Sequence, residues 1–420
     1  MRSVIAKTWR LFVLVCLVAA ISAASFVAGY GAHWFSALQD GLPWVSPEPL
    51  PSEDEAFRTF WQGWRLLERD YYGEVPDIVK AARAALKGVV QELGDPYTVV
   101  VDPEYSAILR EDMSGAFEGI GAAVRINEAG YLEIVEAFEE QPAHQAGLRR
   151  GDIILKVDDT AIEGMNVFEA VALIRGPEGT SVRLLVRRPG VGSEPFEVTV
   201  IRRKIEIPSV QPRLLEQASG DRTYLIGYIR LTDFNAAVPR AFRAALQALL
   251  TRDPDGLILD LRGNPGGYLH VAVDVASQFV GQGTIVIERY KGGEEQHLLA
   301  SPGGLATDPR LPLVVLVDIA SASASEIVAG AVQDTGRGVL VGEKTFGKGS
   351  VQLSYVLADG SEFRVTTARW FTPRGREIQG EGLEPDVLVP ASEGDGGAAG
   401  VDVQLEAAIA QLIALAENGQ

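Results

Sequence analysis

From Arg222 onward, apolar runs of strand length alternate with longer stretches in which apolar residues recur at helical spacing. The strand-like runs cover residues 225–231, 257–261, 313–317 and 338–341, and the helical patterns cover 238–250, 269–279 and 324–333. Each of these elements has an apolar face to bury, so alternating strands and helices pack as a sheet covered by helices. The sequence therefore predicts a layered α/β core.

Smaller units surround that core in the sequence. With 420 residues, 47% of them hydrophobic, the chain is long enough for two or three domains. Helical spacing over 53–93 predicts a pair of helices, within an N-terminal helical region assigned to 53–115. Short β-rich runs predict a separate, mostly β unit over 116–203. The core is assigned to 204–390, and a glycine-rich flexible stretch with a final helix is assigned to 391–420.

The first 30 residues have the pattern of a signal or a membrane anchor. Three basic residues among the first ten precede an uncharged stretch over 11–30, which is long enough to span a bilayer as a helix. Small residues at 22–24 also fit a cleavage site, so an uncleaved anchor and a cleaved signal both stay open. The basic residues before this stretch predict that the chain after it lies outside the cytoplasm. A proline-rich linker over 31–52 follows the stretch. We expect a protein of the cell envelope.

Charge and residue usage exclude several function classes. The net charge of −18, with no long basic run, would repel a phosphate backbone, so no nucleic-acid partner is expected. The one cysteine, Cys16, lies in the apolar N-terminal stretch, which leaves no thiol nucleophile or thiolate cluster in the rest of the chain. The four histidines are scattered without metal-ligand spacing. We expect neither a metal nor a cofactor.

Ser323 is the first candidate for chemistry, and it has a purely structural alternative. It follows an apolar strand and opens a helix, and Glu326 three residues later completes the S-x-x-E pattern of a helix N-cap. Taken alone, that pattern favours a capping serine and no catalytic role.

A second motif, at 342–348, reads G-x-x-x-x-G-K, as in a phosphate-binding loop. Asp260, at the end of an apolar strand, would then resemble a magnesium ligand. However, Gly349 stands where such a loop needs Ser or Thr to hold Mg²⁺. The nucleotide-binding alternative therefore lacks its metal ligand.

Three motifs together resemble the tail-specific, or carboxyl-terminal processing, serine proteases of peptidase family S41. They are DLRGNPGG at 260–267, SASASEI at 321–327 and TFGKGSVQ at 345–352. The resemblance implies that Ser323 is the nucleophile and Lys348 the base. It also implies a multidomain α/β protein with a helical N-terminal region, a PDZ domain and a layered ClpP/crotonase-like protease core, behind the N-terminal anchor or signal helix.

The surrounding residues suit this chemistry. A lysine serves as a base only when neutral, so burial must lower the pKa of Lys348. Gln352, four residues on, would share one face of a strand with Lys348 and accept a hydrogen bond from its amine. The N–H of Ala324 at the helix start would bind the oxyanion.

A second oxyanion donor is expected from the glycines that precede the nucleophile in the chain. It would come from Gly266 or Gly267, because the absence of a side chain permits close approach.

Asp318 departs from the family pattern, in which Asn often stands before the SASAS run. Its carboxylate could shift the lysine pKa.

Residues 116–203 resemble a PDZ domain of the bacterial-protease type, from a glycine turn at 117–121 and the motifs PAHQAGL and GDIILKV. This resemblance implies that Gly119, Ile120 and Gly121 cradle a terminal carboxylate while the peptide adds as a strand to the sheet edge. Arg175 matches an arginine that in some relatives couples the PDZ domain to the active site. The alternative for Arg175 is an exposed, solvated side chain.

The sequence thus predicts a serine endopeptidase without cofactor, whose partners are protein substrates recognised by their C-terminal tails. The N-terminal helix would attach it to the membrane. An adaptor or regulatory protein and a homo-oligomer stay open. The alternative from another class is a catalytically silent PDZ scaffold.

Overall fold

In the computed structural model of the chain, the structure describes residues 55, 57–127, 129–190, 194–206, 208–391 and 402–418. The predicted anchor over 1–30, the linker over 31–52 and the glycine-rich stretch over 394–400 lie outside the described residues. No helix within the described ranges is both long enough and apolar enough to cross a bilayer.

The predicted layered core is present and is built on a six-stranded sheet. Its strands are β10 (Val210–Ser219), β11 (Arg222–Leu231), β12 (Gly256–Asp260), β15 (Leu313–Val317), β16 (Val339–Gly342) and β19 (Val387–Leu388), in that spatial order. β10 and β11 form an antiparallel hairpin, and the pairs from β11 to β19 are parallel. Parallel strands buried on both faces are continuous apolar runs, as the sequence of β12 and β15 shows.

Strand alternation divides the core into two apolar layers. One layer packs odd-numbered positions of β12 and β15, such as Leu257 and Val315, against α6 (Val238–Leu250), α7 (Leu269–Ala276) and α8 (Ala324–Asp334). On the other face, even-numbered positions such as Ile258 and Val314 pack against α9 (Val403–Asn418). The C-terminal helix is therefore part of the core, whereas the sequence assigned it to a separate segment.

A second sheet of five strands lies beside this core. It contains β1 (Val99–Val101), β13 (Thr284–Tyr290), β14 (Glu295–Leu299), β17 (Ser350–Val356) and β18 (Glu362–Phe371). β18 is central and pairs antiparallel with β1, β13 and β17. Because β17 begins immediately after Lys348, this sheet carries the region around the predicted base.

The mostly β unit predicted over 116–203 is also present. β2 (Ala116–Gly119) pairs with β9 (Arg203–Glu206). Between these two strands lies a six-stranded sheet. Its strands are β3 (Ala122–Ile126), β4 (Leu132–Ala137), β5 (Ile153–Val157), β6 (Thr160–Ala161), β7 (Ser181–Arg187) and β8 (Phe196–Ile201), with the short helices α4 (Pro142–Gln145) and α5 (Val167–Ile174).

The N-terminal region contains the two predicted helices, α1 (Arg58–Asp70) and α2 (Ile78–Gln91). In α1 the ring of Phe60 stacks on that of Trp64, with centroids 6.5 Å apart, and Trp64 is buried. The structure adds two elements that the sequence interpretation missed, β1 and α3 (Pro103–Ser114). Both are too short or too weakly amphipathic to stand out by periodicity.

An ion-pair cluster attaches α9 to the core sheet. Arg262, just after β12, donates to both carboxylate oxygens of Asp260 and to both of Asp402. Asp260 has no solvent exposure, and the hydroxyl of Tyr228 donates to it at 2.7 Å. This cluster compensates a buried charge and orients the loop at 261–267.

We predict that Arg262→Ala lowers the free energy of unfolding by about 3–5 kcal/mol, because it leaves the Asp260 carboxylate buried without its counter-ion. Chemical denaturation of the full chain measures this loss. The control is Arg310→Ala: the Arg310 side chain is 86% exposed in its pair with Asp308, so its removal should cost less than about 1 kcal/mol. Equal losses in the two variants would contradict a structural role for the buried cluster.

Candidate active site

The carboxyl ends of the parallel strands β12, β15 and β16 meet at one edge of the core sheet. The loops that leave these three ends cover residues 261–268, 318–323 and 343–349. They carry the glycine motif, the serine motif and the lysine motif. Side chains at this edge of a parallel sheet converge, which is why ligand sites form there.

Ser323 is the N-cap residue of α8 and has φ +56°, an unfavourable backbone conformation for a residue with a side chain. Such strain persists only where the surrounding structure fixes it. Here Gly266 packs directly against the serine, because a Cβ atom at position 266 would lie 2.8 Å from the Ser323 Cβ and 2.9 Å from the Ala324 nitrogen. Only glycine fits at position 266.

Glu326 connects the serine loop to the lysine loop. Its side chain is fully buried. One carboxylate oxygen, Oε2, accepts from the N–H of Ser323 (2.8 Å) and the N–H of Lys348 (2.9 Å). The other, Oε1, accepts from the N–H of Gly347 and the hydroxyl of Thr345, each at 2.7 Å. Because a single oxygen binds the backbone of both Ser323 and Lys348, the two residues are neighbours.

Lys348 has the environment that a neutral amine requires. Burial lowers the pKa of the Lys348 ammonium, the positive charge of Arg364 lowers it further, and the negative charge of Glu326 opposes both. The ring of Tyr97 lies over the amine, with Nζ 5.2 Å from its centroid. The predicted lowering of the lysine pKa thus has a physical cause in the structure.

Burial also acts on the carboxyl group between the two loops. Burial raises the pKa of the Glu326 carboxyl above its ordinary value, and the hydrogen bonds from Thr345, Gly347, Ser323 and Lys348 offset only part of this increase. Four donors converge on this group, and hydrogen bonds from several donors stabilise the ionised form of a carboxylate.

The structure contradicts the expected hydrogen bond from Lys348 to Gln352. The amide nitrogen of Gln352 donates to the hydroxyls of Ser350 (2.8 Å) and Thr366 (3.4 Å). Among the described residues, no hydrogen bond joins the Lys348 amine to the amide oxygen of Gln352 or to another acceptor. The i, i+4 argument fails because Lys348 precedes β17, and because a β-bulge between Val351 and Gln352 shifts the register.

The glycine loop contains the two candidates for the second oxyanion donor, the N–H groups of Gly266 and Gly267. The N–H of Gly266 donates to Oδ1 of Asn264 at 2.9 Å and is therefore engaged. In the described part of the chain, no group accepts a hydrogen bond from the N–H of Gly267 or of Ala324. The backbone of Gly267 also packs closely, since a Cβ atom there would lie 2.4 Å from the carbonyl oxygen of Phe234.

The remaining serines and Asp318 hold the loops together. Ser321 donates to the carbonyl of Leu261 and Ser325 to the carbonyl of Asn264, so both have a structural role. Asp318 accepts from the N–H of Gly263 and of Ser321. Its carboxylate is not among the groups that shift the pKa of Lys348.

The phosphate-loop alternative is not supported by this geometry. The N–H groups of Gly347 and Lys348, which would have to face a phosphate, donate to Glu326. Asp260 is paired with Arg262 and is not placed to hold magnesium. Within the described residues, no group of three or more potential metal ligands is present.

In the β unit, the predicted carboxylate cradle lies at the β2–β3 connection. Gly119 belongs to β2 and pairs with Arg203, whereas Ile120 and Gly121 form the turn into β3. A cavity of about 200 Å³ adjoins this turn, between β3 and α5. The carbonyl of Ile120 accepts from the N–H of Ala143, which fixes the turn.

Arg175 is not the solvated side chain of the alternative interpretation. Its side chain is 14% exposed, its guanidinium lies 4.2 Å from the centroid of the Phe117 ring, and Nη1 donates to Glu111 at 3.2 Å. These contacts join the end of α5 to β2 and to α3. A coupling of this arginine to the protease core would therefore run through α3.

Sequence reasoning missed two of the groups that lie around the Lys348 amine, the Glu326 carboxylate and the Tyr97 ring. The S-x-x-E pattern linked Glu326 to Ser323, but no sequence signal indicated that the same carboxylate also binds residues 345–348. Tyr97 belongs to a loop about 250 residues before Lys348, so only the fold brings them together. No local pattern could have found that contact.

The sequence of the chain is similar to those of known proteins. The family model described as peptidase family S41 matches residues 225–389, and a PDZ-domain model matches residues 133–188. The carboxy-terminal processing protease CtpA of Bacillus subtilis is 36% identical over 335 residues, which are 80% of this chain and 69% of the relative. The carboxyl-terminal-processing protease of a Synechocystis species is 37% identical over 337 residues, covering 80% of this chain and 77% of the relative.

A solved structure, that of the photosystem II D1 C-terminal processing protease, is also similar. It shares 31% sequence identity and a TM-score of 0.51, and the match covers 81% of this chain and 93% of the solved one. The similarity therefore spans both the β unit and the core.

We predict that Glu326→Gln lowers kcat/KM for a peptide substrate by about 100-fold, because an amide places donor hydrogens against buried N–H groups and displaces both loops. The free energy of unfolding should fall by about 1–3 kcal/mol. Steady-state kinetics and chemical denaturation measure the two effects.

Asp318→Asn is the matched control. It makes the same chemical change in the serine loop. Oδ1 of Asp318 accepts from every donor to this carboxylate, and Oδ2 shares only the N–H of Gly263, so an amide oxygen at the Oδ1 position can accept all these bonds. We expect less than about a threefold change in kcat/KM. If the two variants behave alike, Glu326 does not hold the site in the way described.

Proposed function

Since this chain belongs to peptidase family S41 and is a serine-type carboxy-terminal processing protease, we propose that Ser323 is its nucleophile and Lys348 its general base. We further propose that its PDZ domain selects protein substrates by their C-terminal tails. The observation that carries the first proposal is the half-buried amine of Lys348, with its lowered pKa, in a loop tied to Ser323 by Glu326.

In this mechanism a neutral Lys348 removes the proton from the Ser323 hydroxyl as the oxygen attacks the carbonyl carbon of the scissile peptide bond. The negative charge moves to the carbonyl oxygen of the tetrahedral intermediate. The N–H groups of Gly267 and Ala324, which have no protein acceptor within the described residues, would stabilise that oxygen.

The same lysine completes both halves of the reaction. As the carbon–nitrogen bond breaks, the Lys348 ammonium gives its proton to the leaving amine and an acyl-enzyme on Ser323 is left. Neutral Lys348 then takes a proton from a water molecule that attacks the ester. Collapse of the second intermediate releases the new carboxylate and returns the proton to Ser323.

The strained backbone of Ser323 supports a catalytic role over simple capping. An N-cap residue normally has an extended conformation, as Asn166 of α5 does with φ −74° and ψ 167°. Ser323 instead has φ +56° and ψ −112°. A helix cap alone does not need that conformation, whereas presenting a side chain at the mouth of converging loops does.

The tail-reading proposal is supported by the cavity between β3 and α5. A peptide that adds as a strand beside β3 would place its terminal carboxylate at Ile120 and Gly121 and its last side chain in the cavity. The cavity is lined mainly by aliphatic residues, including Val124, Val167 and Ile174. An apolar terminal residue therefore suits it.

We also propose that the protein works in the cell envelope. Support for this comes from the N-terminal sequence, in which basic residues precede the uncharged stretch over 11–30. The substrates would then be exported or membrane-bound proteins with accessible C-termini.

We predict that Ser323→Ala and Lys348→Ala each reduce proteolysis to background, and that the double variant is no slower than either single variant. Two groups that act as one unit give such non-additive losses. The measurement is kcat/KM on a fluorogenic peptide, with circular dichroism to verify folding. Independent, multiplying losses would argue against the Ser–Lys pair.

For substrate selection, we predict that a peptide with a free C-terminal carboxylate binds the Ser323→Ala protein more tightly than the same peptide with an amidated end. Amidation removes the negative charge to which the N–H groups at 120–121 would donate hydrogen bonds. A hydrogen bond to a charged group contributes about 1.5–3 kcal/mol to the binding free energy. Fluorescence anisotropy measures both affinities. Equal affinity for acid and amide would show that the PDZ domain does not read chain ends.

A further inference from the structure

The cavity proposed to receive the substrate tail has a wall that does not belong to the PDZ domain. Besides residues of β3 and α5, it is lined by Ile108 of α3, which lies outside the 116–203 unit. Ile108 is 6% exposed, so its side chain faces the protein interior at this position. Since Phe117 of β2 also lines it, three elements of the PDZ domain and one from outside the domain enclose the space.

Contacts along one face of α3 hold it against the full length of α5. Near the start of α5, Asn166 donates to the hydroxyl oxygen of Tyr105 at 2.8 Å, and the rings of Tyr105 and Phe168 lie 5.3 Å apart. At the other end, Arg175 pairs with Glu111. Since positions 105, 108 and 111 follow a spacing of three, they share one helix face. Ile108 is at its centre.

The helix is also attached to the protease core. The hydroxyl of Ser106, which is fully buried, donates to Glu362 of β18 at 3.0 Å. At the end of α3, the carbonyl of Met113 accepts from the N–H of Ala236 at 3.2 Å. Contacts to the core at both ends make α3 a fixed wall. The cavity retains about 200 Å³ with α3 in place, so a tail can enter without displacing the helix.

From this arrangement we infer that Ile108 is a specificity-determining residue, which limits the size of the last side chain of the substrate tail. The wild-type cavity then takes small and medium aliphatic ends, such as Ala or Val, and disfavours Phe. This inference rests on the proposed tail-reading role of the PDZ domain. It adds that the side-chain preference is set partly from outside that domain.

The experiment measures affinities of the full-length Ser323→Ala protein for labelled peptides that differ only in a final Val or Phe. We expect Ile108→Ala, which removes three carbon atoms from the wall, to raise the ratio of Phe to Val affinity by about tenfold. Ile108→Phe should fill the space and weaken the Val-ended peptide by about tenfold.

Leu109→Ala is the matched control, because Leu109 is the next residue of the same helix and does not line the cavity. It should leave the Phe to Val ratio unchanged. Should Ile108→Ala fail to fold, Ile108→Val supplies the test, with a smaller shift in the same direction.

The outcomes separate this inference from the proposed function. If free-acid peptides bind better than amides but the ratio is the same in Ile108→Ala, Ile108→Phe and Leu109→Ala, the role of Ile108 is wrong and tail reading stands. If acid and amide bind equally to the parent protein, tail reading itself fails. A ratio that shifts only in the Ile108 variants supports the inference.

Discussion

The site depends on one buried carboxylate. Glu326 receives four hydrogen bonds, and these join the backbone of Ser323 to three residues of the loop that carries Lys348. A buried charge is tolerated only when its lone pairs are satisfied, so each loop stabilises the conformation of the other. The carboxylate also occupies the space in which the lysine loop would otherwise bind an anion. The N–H groups of Gly347 and Lys348 are thereby engaged by Glu326 and do not face a phosphate.

The core sheet explains why three distant motifs meet. Parallel strands place their carboxyl ends at one edge, and β12, β15 and β16 lead into the glycine, serine and lysine loops. Helices on one face and α9 on the other bury the central strands β12 and β15 completely. The core sheet therefore positions the loops, while the PDZ domain and α3 enclose the cavity that is proposed to receive the substrate tail.

The sequence was sufficient for the fold class and for the motif residues at 260–267, 321–327 and 345–352, because alternating strand and helix patterns and short motifs are local signals. It failed where geometry depends on non-local contacts. Gln352 was assigned to the lysine by strand periodicity, which a β-bulge breaks. Tyr97, Ile108 and the second function of Glu326 depend on chain segments that are remote in sequence, so no periodicity or spacing encodes them. β1 and α3 were missed since their patterns are short or weak.

The proposed mechanism requires that a neutral, half-buried Lys348 activates Ser323. Its most direct test is the rate at which a serine-reactive fluorophosphonate labels Ser323 as a function of pH. Labelling should rise with pH through an apparent pKa below the ordinary value of about 10.4 for lysine. The Lys348→Ala protein should be labelled at least about 100-fold more slowly at neutral pH while remaining folded. A rate that is independent of pH, or that Lys348→Ala leaves unchanged, would contradict it.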